Sequence, residues 1–169
     1  ERALRDARIN RIFEGTNEIN RLIITGWLIK SAVSGKLPLL PAIKQLMDEV
    51  MAGPTPKEDR EGPLAAEFNL LASAKKLTLF AAGAATQKYT DKLSDEQEVM
   101  GAIANMVIEV YAMESAILRA EKIATGKGSA EIFIAMARIY AAGAIEKIEL
   151  AARKVIAAVA EGDIARTQF

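Results

Sequence analysis

The sequence has 169 residues, of which 51% are hydrophobic and 26% charged, and its 22 basic side chains balance its 22 acidic ones. This length suits one domain, or one domain with an additional segment, and is enough to bury a sizeable core. The absence of cysteine excludes disulfides and thiol chemistry, the absence of histidine removes the commonest metal ligand, and zero net charge gives no support for nucleic-acid binding.

Apolar residues recur at helical spacing from the start of the chain, and no uninterrupted apolar run reaches transmembrane length. Residues 1–10 have the pattern of the end of a helix, and a turn at 12–15 leads into a helix over about 16–33. This helix has apolar residues on most faces, so we expect other structure to cover it. A shorter helix over about 39–52 is ended by Gly53-Pro54.

Residues 53–63 contain three prolines, two glycines and a run of charges, a composition typical of a linker. Three long helices are predicted after it, over about 63–89, 94–125 and 129–161. Ser94 and Ser129 are the predicted N-caps of the last two, and Gln97 follows Ser94 at the spacing of a capping box.

Short connections make neighbouring helices antiparallel. The predicted fold class is therefore all-α, an antiparallel helical bundle of three long helices preceded by two shorter helices. We divide the chain into a first unit (1–52), a linker (53–63) and a C-terminal helical bundle (64–169).

The turn before the second helix has the composition of a functional site. Glu14 supplies a carboxylate, Gly15 permits a positive φ and close approach of a ligand, and Thr16 is a good N-cap. Free backbone N–H groups at a helix start can hold anionic or polar groups of a ligand. On spacing alone, a glutamate placed here is more often a favourable charge on the helix dipole, with odds of roughly two in three.

The segments Arg5-Asp6-Ala7-Arg8-Ile9, Arg11-Ile12-Phe13-Glu14-Gly15-Thr16-Asn17-Glu18-Ile19 and Arg21-Leu22-Ile23 together resemble the C-terminal signature of the acyl-CoA dehydrogenases. The resemblance implies that Glu14 is the base that removes the α-proton of a fatty acyl-CoA while a hydride leaves the β-carbon for FAD. It further implies that Phe13 and Gly15 contact the substrate. Thr16, Asn17 and Glu18 match the residues that contact FAD in that family.

The resemblance also implies a longer protein. We expect this chain to be its C-terminal part, and the preceding part to carry most of the FAD and acyl-CoA sites. The length and helical pattern after residue 40 are similar to the very-long-chain acyl-CoA dehydrogenases, whose helical extension supports dimerisation. The implied partners are an acyl-CoA substrate, electron-transferring flavoprotein and further copies of the chain, in the cytoplasm of a bacterium or the mitochondrial matrix of a eukaryote.

Two alternatives stay open from the sequence. The chain could serve only as a helical oligomerisation or partner-binding module, or it could be an unrelated bundle with a chance match. Membrane contact is not expected, because the third long helix lacks the basic amphipathic face that it would need.

Other groups have simpler explanations. Gly126-Lys127-Gly128-Ser129 lacks the preceding strand and full spacing of a phosphate-binding loop, so an interhelical turn is about ten times more probable. The six methionines are expected to fill the core. Glu109, Glu114 and Glu121 have no histidine partner, so no metal site is predicted. Tyr111 and Tyr140 are predicted at the core edge with hydrated hydroxyls.

Overall fold

A computed structural model describes residues 1–53, 60–126 and 129–160. These residues contain helices and turns but no strand, which confirms the all-α class. The α-helices are α1 (Arg2–Ile9), α2 (Asn17–Val33), α3 (Leu39–Ala52), α4 (Ala65–Tyr89), α5 (Gln97–Ala124) and α6 (Glu131–Val159), with a 3-10 helix over Thr90–Asp95. The described residues thus form six α-helices where five were predicted, because the segment expected only as the end of a helix, Arg2–Ile9, is a helix of its own.

Helices α4, α5 and α6 pack against one another and form the core. Their directions follow from the contacts between them. Arg60 pairs with Glu121 while Lys75 pairs with Glu114, so α4 and α5 are antiparallel. Glu67 bonds to Arg138 near the start of α6, and Tyr89 bonds to the carbonyl of Ala158 near its end, so α4 and α6 are parallel.

Small and large side chains alternate in this core. Many of the buried residues are alanines, which let helix axes approach closely at no cost in helix propensity. The fully buried large apolar side chains belong to the same core cluster as these alanines. Representative buried residues are Ala74, Ala81, Ala85, Met106, Met113, Ile117, Ala144, Ile148 and Val155.

Helix α2 packs on α5, and α3 packs on α4. The buried hydroxyl of Thr25 donates to the carbonyl of Met100 at 2.8 Å. Lys76 contacts Glu49 of α3 at 2.6 Å, and this hydrogen bond lowers the pKa of the Glu49 carboxyl. The apolar composition of α2 predicts that other helices cover it on most faces. They cover it only in part, since Trp27 is 61% exposed.

The predicted caps of the last two helices are wrong. Ser94 lies within the 3-10 helix, and α5 begins after Glu96 without a side-chain cap. Burial of Leu93 in the core keeps the chain in the tighter 3-10 turn, which delays the start of α5. Helix α6 begins after Ala130, again without a side-chain cap, and Ser129 remains exposed.

The predictions for the methionines are confirmed in part. Met100, Met106 and Met113 are buried on α5. The same prediction is wrong for Met47, Met51 and Met136, which are all exposed.

The two tyrosines predicted at the core edge differ in their exposure to solvent. The Tyr140 hydroxyl is half-buried and donates to Glu109 at 2.9 Å, whereas Tyr111 is 73% exposed.

By length and composition, one helix in the described residues, α5, is apolar enough to cross a membrane. A core helix passes the same test. Here α5 contacts α2, α4 and α6, and its Glu109 and Glu114 pair with Lys147 and Lys75. These contacts make α5 the central helix of the bundle.

Three sequence predictions fall on residues that the structure does not describe. They are the middle of the linker (54–59), Lys127-Gly128 of the interhelical turn, and the end of the bundle (161–169).

Candidate functional site at the turn before helix α2

The turn between α1 and α2 is formed by backbone hydrogen bonds and two positive φ angles. The N–H of Phe13 donates to the carbonyl of Ile9 at 3.1 Å, and the N–H of Asn17 donates to the carbonyl of Arg11 at 3.3 Å. Between them, Glu14 has φ 57° and Gly15 has φ 96°. The chain therefore reverses sharply at the predicted base.

Gly15 is required here for two separate reasons. Its φ lies in the region that favours glycine, and a Cβ at this position would lie 2.7 Å from Oδ1 of Asn20. The Asn20 amide donates through Nδ2 to the carbonyl of Gly15 at 2.9 Å. Asn20 thus holds the turn closed from within α2, a role that the sequence analysis missed.

The start of α2 is capped as predicted. Oγ1 of Thr16 accepts a hydrogen bond from the N–H of Ile19 at 3.4 Å, and the carbonyl of Thr16 accepts from the N–H of Asn20. The bond from Ile19, together with that from Asn17 to the turn, satisfies two of the donors that a helix start leaves free, whereas the bond from Asn20 is the first of the helix itself. In the described part of the chain, the N–H of Glu18 has no protein acceptor, so it remains able to bind a ligand.

Arg21 fixes the first turn of α2 to the bundle. Its Nη1 donates to the carbonyl of Asn17 at 2.9 Å, and its Nε donates to Oδ1 of Asn105 on α5 at 2.6 Å. The sequence analysis quoted Arg21 within the family signature but assigned it no role. The available signal was an arginine close to the start of a helix, where the dipole disfavours a positive charge that has no acceptor.

The structure places the six predicted site residues next to one another, on a surface that is open to solvent. The side chain of Phe13 is 50% exposed, and Glu14 and Glu18 are exposed. Gly15, Thr16 and Asn17 are half-buried. In the described residues no group of three or more acidic side chains could hold a metal ion. The arrangement offers a carboxylate beside backbone and side-chain donors, which suits proton transfer next to a bound polar ligand.

Known proteins share both halves of this architecture. The family described as "Acyl-CoA dehydrogenase, C-terminal domain" matches residues 73–169, which is more than half of the chain, and a second family of the same description matches residues 1–29. The chain belongs to the acyl-CoA dehydrogenases. The open alternative of an unrelated bundle with a chance match is thereby excluded.

Two relatives show how far this similarity reaches. A probable acyl-CoA dehydrogenase of Bacillus subtilis is 44% identical over 168 residues, which are 98% of this chain and 28% of that protein. The mitochondrial short-chain specific acyl-CoA dehydrogenase of Sus scrofa is 64% identical over 31 residues, which are 18% of this chain and 8% of that protein. The chain therefore spans little more than a quarter of the Bacillus relative.

A solved structure extends the comparison to the fold. The acyl-CoA dehydrogenase of Bacillus anthracis complexed with FAD superimposes with a TM-score of 0.90 and 43% identity. The match covers 99% of this chain and 29% of that chain. The arrangement of α1 to α6 is thus that of an acyl-CoA dehydrogenase.

Proposed function

We propose that this chain is the C-terminal part of an FAD-dependent acyl-CoA dehydrogenase, and that Glu14 removes the α-proton of a fatty acyl-CoA thioester. The observation that carries the proposal is the position of Glu14, an exposed carboxylate in a positive-φ turn that Asn20 and Arg21 hold in place. A fixed backbone at the position of the base limits the region that its carboxylate can reach, which favours a productive position for proton transfer.

Each neighbouring residue has a role in this proposal. Phe13 and Gly15 border the thioester, since a half-exposed ring can cover the reacting carbons and a glycine presents no side chain of its own to the substrate. Thr16, Asn17 and Glu18 face the cofactor. The free N–H of Glu18 and the amide of Asn17 are donors that fit the polar edge of a flavin or its ribityl chain. FAD, when bound, supplies the acceptor for the hydride.

We also propose that the two parts of the chain have separate tasks. Residues 1–52 complete the catalytic helical domain, 53–63 are the linker, and 64–169 form an extension that docks on it through Thr25 and Met100. The catalytic step needs a base, a flavin and a substrate pocket together. We therefore expect the isolated chain to be inactive.

The exposed surface of α6 favours a second role, the assembly of several copies of the chain. Ile132, Met136 and Ile139 recur at i, i+4 and i+7 and are exposed, so they form an apolar stripe on the outside of the bundle. We propose that this stripe joins copies of the chain, and that electron-transferring flavoprotein accepts the electrons from the assembled enzyme. If the chain has no catalytic role, the same stripe supports its reading as an oligomerisation or partner-binding module.

The test of the base is flavin bleaching by acyl-CoA thioesters in the intact protein, with and without Glu14→Gln. The substitution keeps the size of the side chain and removes the base. We expect the rate of flavin reduction to fall about 10²–10⁴-fold, while FAD stays bound. Glu131→Gln is the matched control, because it makes the same change at another exposed helix start and should leave the rate unchanged.

Equal bleaching by the wild type and Glu14→Gln would place the base elsewhere and leave the turn with a structural role only. If Glu131→Gln also slows bleaching, the effect of Glu14→Gln comes from the change in the net charge of the protein and not from loss of the base. Absence of bound flavin in the intact wild-type protein would favour the binding module.

A further inference from the structure

One side chain of the extension supports the turn that carries Glu14 without touching it. Arg21 donates through Nε to Oδ1 of Asn105 on α5 at 2.6 Å and through Nη1 to the carbonyl of Asn17 at 2.9 Å. The guanidinium group thus joins the backbone at the start of α2 to a side chain that lies 84 residues later. Both bonds have a charged donor, which makes them roughly twice as strong as bonds between neutral groups.

Asn17 connects this contact to the turn. Its N–H donates to the carbonyl of Arg11 at 3.3 Å, so the segment 11–17 is a closed loop with Glu14 at its middle. The carbonyl of Asn17 is the acceptor that Arg21 binds. A displacement of the Arg21 side chain would therefore displace the end of this loop, and the Glu14 carboxylate with it.

The position of Asn105 is itself fixed by the core. Its neighbours on α5, Ala104 and Met106, are fully buried. A second link to α2 lies one turn away, where the buried hydroxyl of Thr25 donates to the carbonyl of Met100 at 2.8 Å. The position on α5 falls as the position on α2 rises, so the two helices are antiparallel, and two contacts a turn apart fix both the position and the rotation of α2.

The conformation of Glu14 makes such support necessary. A non-glycine residue with φ 57° keeps this conformation only where the surrounding structure fixes it. Asn20 supplies one contact from within α2, and the pair of Arg21 and Asn105 supplies a contact from outside this segment. Loss of the outer contact would allow the turn to relax, and a small displacement of a base slows proton transfer because the transfer needs a defined geometry.

We propose that Asn105 is a positioning residue for the base, and that it acts on Glu14 through Arg21 and Asn17. The assignment of Glu14 as the base rests on the proposed function, whereas the support of the turn by Asn105 does not. Arg21 needs an oxygen acceptor at position 105 within reach of its Nε. An aspartate supplies this oxygen at the same distance from the backbone, and a leucine of similar shape does not.

The first experiment measures the rate of flavin reduction by an acyl-CoA in the intact protein that carries Asn105→Leu or Asn105→Asp. We expect Asn105→Leu to slow the reduction roughly tenfold, less than the loss of about 10²-fold that a displacement of 1 Å can cause, while FAD stays bound. Asn105→Asp should keep the rate within about twofold of the wild type, because its carboxylate accepts from Arg21. Asn69→Leu is the matched control, since it makes the same change on α4 at a side chain without a hydrogen bond in the described residues, and it should leave the rate unchanged.

Two further variants separate positioning of the base from general attachment of α2. Thr25→Val removes the other link to α5 and touches no residue of the turn, so it should slow flavin reduction less than Asn105→Leu does. In protein that already carries Glu14→Gln, Asn105→Leu should slow the remaining reduction less than about twofold, because the base on which it acts is gone. Equal slowing by Thr25→Val, or equal slowing by Asn105→Leu with and without Glu14, would overturn the proposal.

Hydrogen exchange of the intact protein gives a measurement that does not depend on activity. We expect the backbone amides of residues 11–17 to exchange several-fold faster in Asn105→Leu than in the wild type or in Asn105→Asp, because the turn opens more easily without its outer contact. Equal exchange in the wild type and Asn105→Leu would overturn the proposal, as would faster exchange without slower flavin reduction. If Glu14→Gln bleaches like the wild type, the proposed function fails, and the exchange of residues 11–17 still decides whether Asn105 supports the turn. The two failures are therefore distinguishable.

Discussion

At the scale of single residues, the turn concentrates backbone strain at its functional position. Glu14 has φ 57°, a conformation that costs a non-glycine residue roughly 1–3 kcal/mol and persists only where surrounding structure fixes it. The fixing contacts are the Asn20 bond to Gly15 and the Arg21 bonds to Asn17 and Asn105. The strain is thus localised at the residue that we propose as the base.

Tyr140 gives a prediction on the dependence of stability on pH. Burial, and then its hydrogen bond to Glu109, raises the pKa of Tyr140 from 10.0 to about 12. The unfolded chain loses this proton near pH 10 and the folded chain only near pH 12, so the folded state binds more protons between those values. The contribution of Tyr140 to stability is therefore complete below about pH 10 and is lost as the pH rises to about 12.

We expect Tyr140→Phe to remove part of this alkaline loss, because phenylalanine has no proton to release. The measurement is the urea midpoint of unfolding across this pH range. Tyr111→Phe is the matched control, since Tyr111 is exposed, and it should keep the slope of the wild type. Identical slopes in all three proteins would contradict the prediction.

At the scale of helices, α3 packs tightly against α4 at Gly83. A Cβ on Gly83 would lie 2.8 Å from Cγ2 of Ile43, whereas a Cβ on Gly143 of α6 would have nothing within 4 Å. Both glycines lie inside helices, so alanine has the same propensity advantage of about 1 kcal/mol at either position. The two sites differ only in the available space.

We therefore expect Gly143→Ala to increase the free energy of unfolding by about 1 kcal/mol. Gly83→Ala should lower it by up to about 2 kcal/mol, because overpacking costs about 1–3 kcal/mol and exceeds the propensity gain. Denaturant unfolding of both variants gives the comparison. If both substitutions stabilise the protein equally, α3 can shift away from α4 and relieve the contact between the new Cβ and Ile43, which would contradict the prediction.

The elements themselves could be predicted from sequence because their signals are local. Apolar spacing and the glycine–proline stops give the extents of α2 and α3, and Thr16 marks the start of α2. The start of α5 could not be predicted in this way. It depends on Leu93, whose burial by distant residues favours the 3-10 turn over the cap at Ser94.

The same distinction holds at the candidate site. The six residues of the turn could be found from the motif alone, since they are contiguous. The contacts that hold it could not, because Asn105 lies 84 residues after Arg21. Likewise, the periodicity of apolar residues places methionines on one face of a helix but does not tell which face the bundle covers. Met51 is an example, because it lies at an apolar position and is 87% exposed.

At the scale of the whole molecule, the bundle has more apolar surface than its own helices cover. The stripe of Ile132, Met136 and Ile139 lies on the side of α6 opposite to Ala137 and Ala141, which are buried against α4 and α5. Burial of such side chains between two copies contributes about 25 cal/mol per Å² of apolar surface, before the costs of association. The stripe is thus the surface that we expect to join copies.

We expect the isolated chain to sediment above the mass of a monomer at micromolar concentration. Met136→Lys/Ile139→Lys should shift it towards the monomer, because two charges cannot be buried without partners. Ala142→Lys, an exposed position on a neighbouring face of α6, is the control and should sediment as the wild type does. A monomeric wild type would contradict the assembly role.

The attachment of α2 to α5 has a consequence for inheritance. Helix α2, which follows the proposed base, is joined to α5 by Arg21 with Asn105 and by Thr25 with the carbonyl of Met100. A substitution at Asn105 would remove the acceptor of Nε of Arg21 and so weaken the support of a turn encoded more than eighty codons earlier. We therefore expect positions 21 and 105 to change together in descendants of this gene, and loss of α5 to weaken the turn that holds the proposed base.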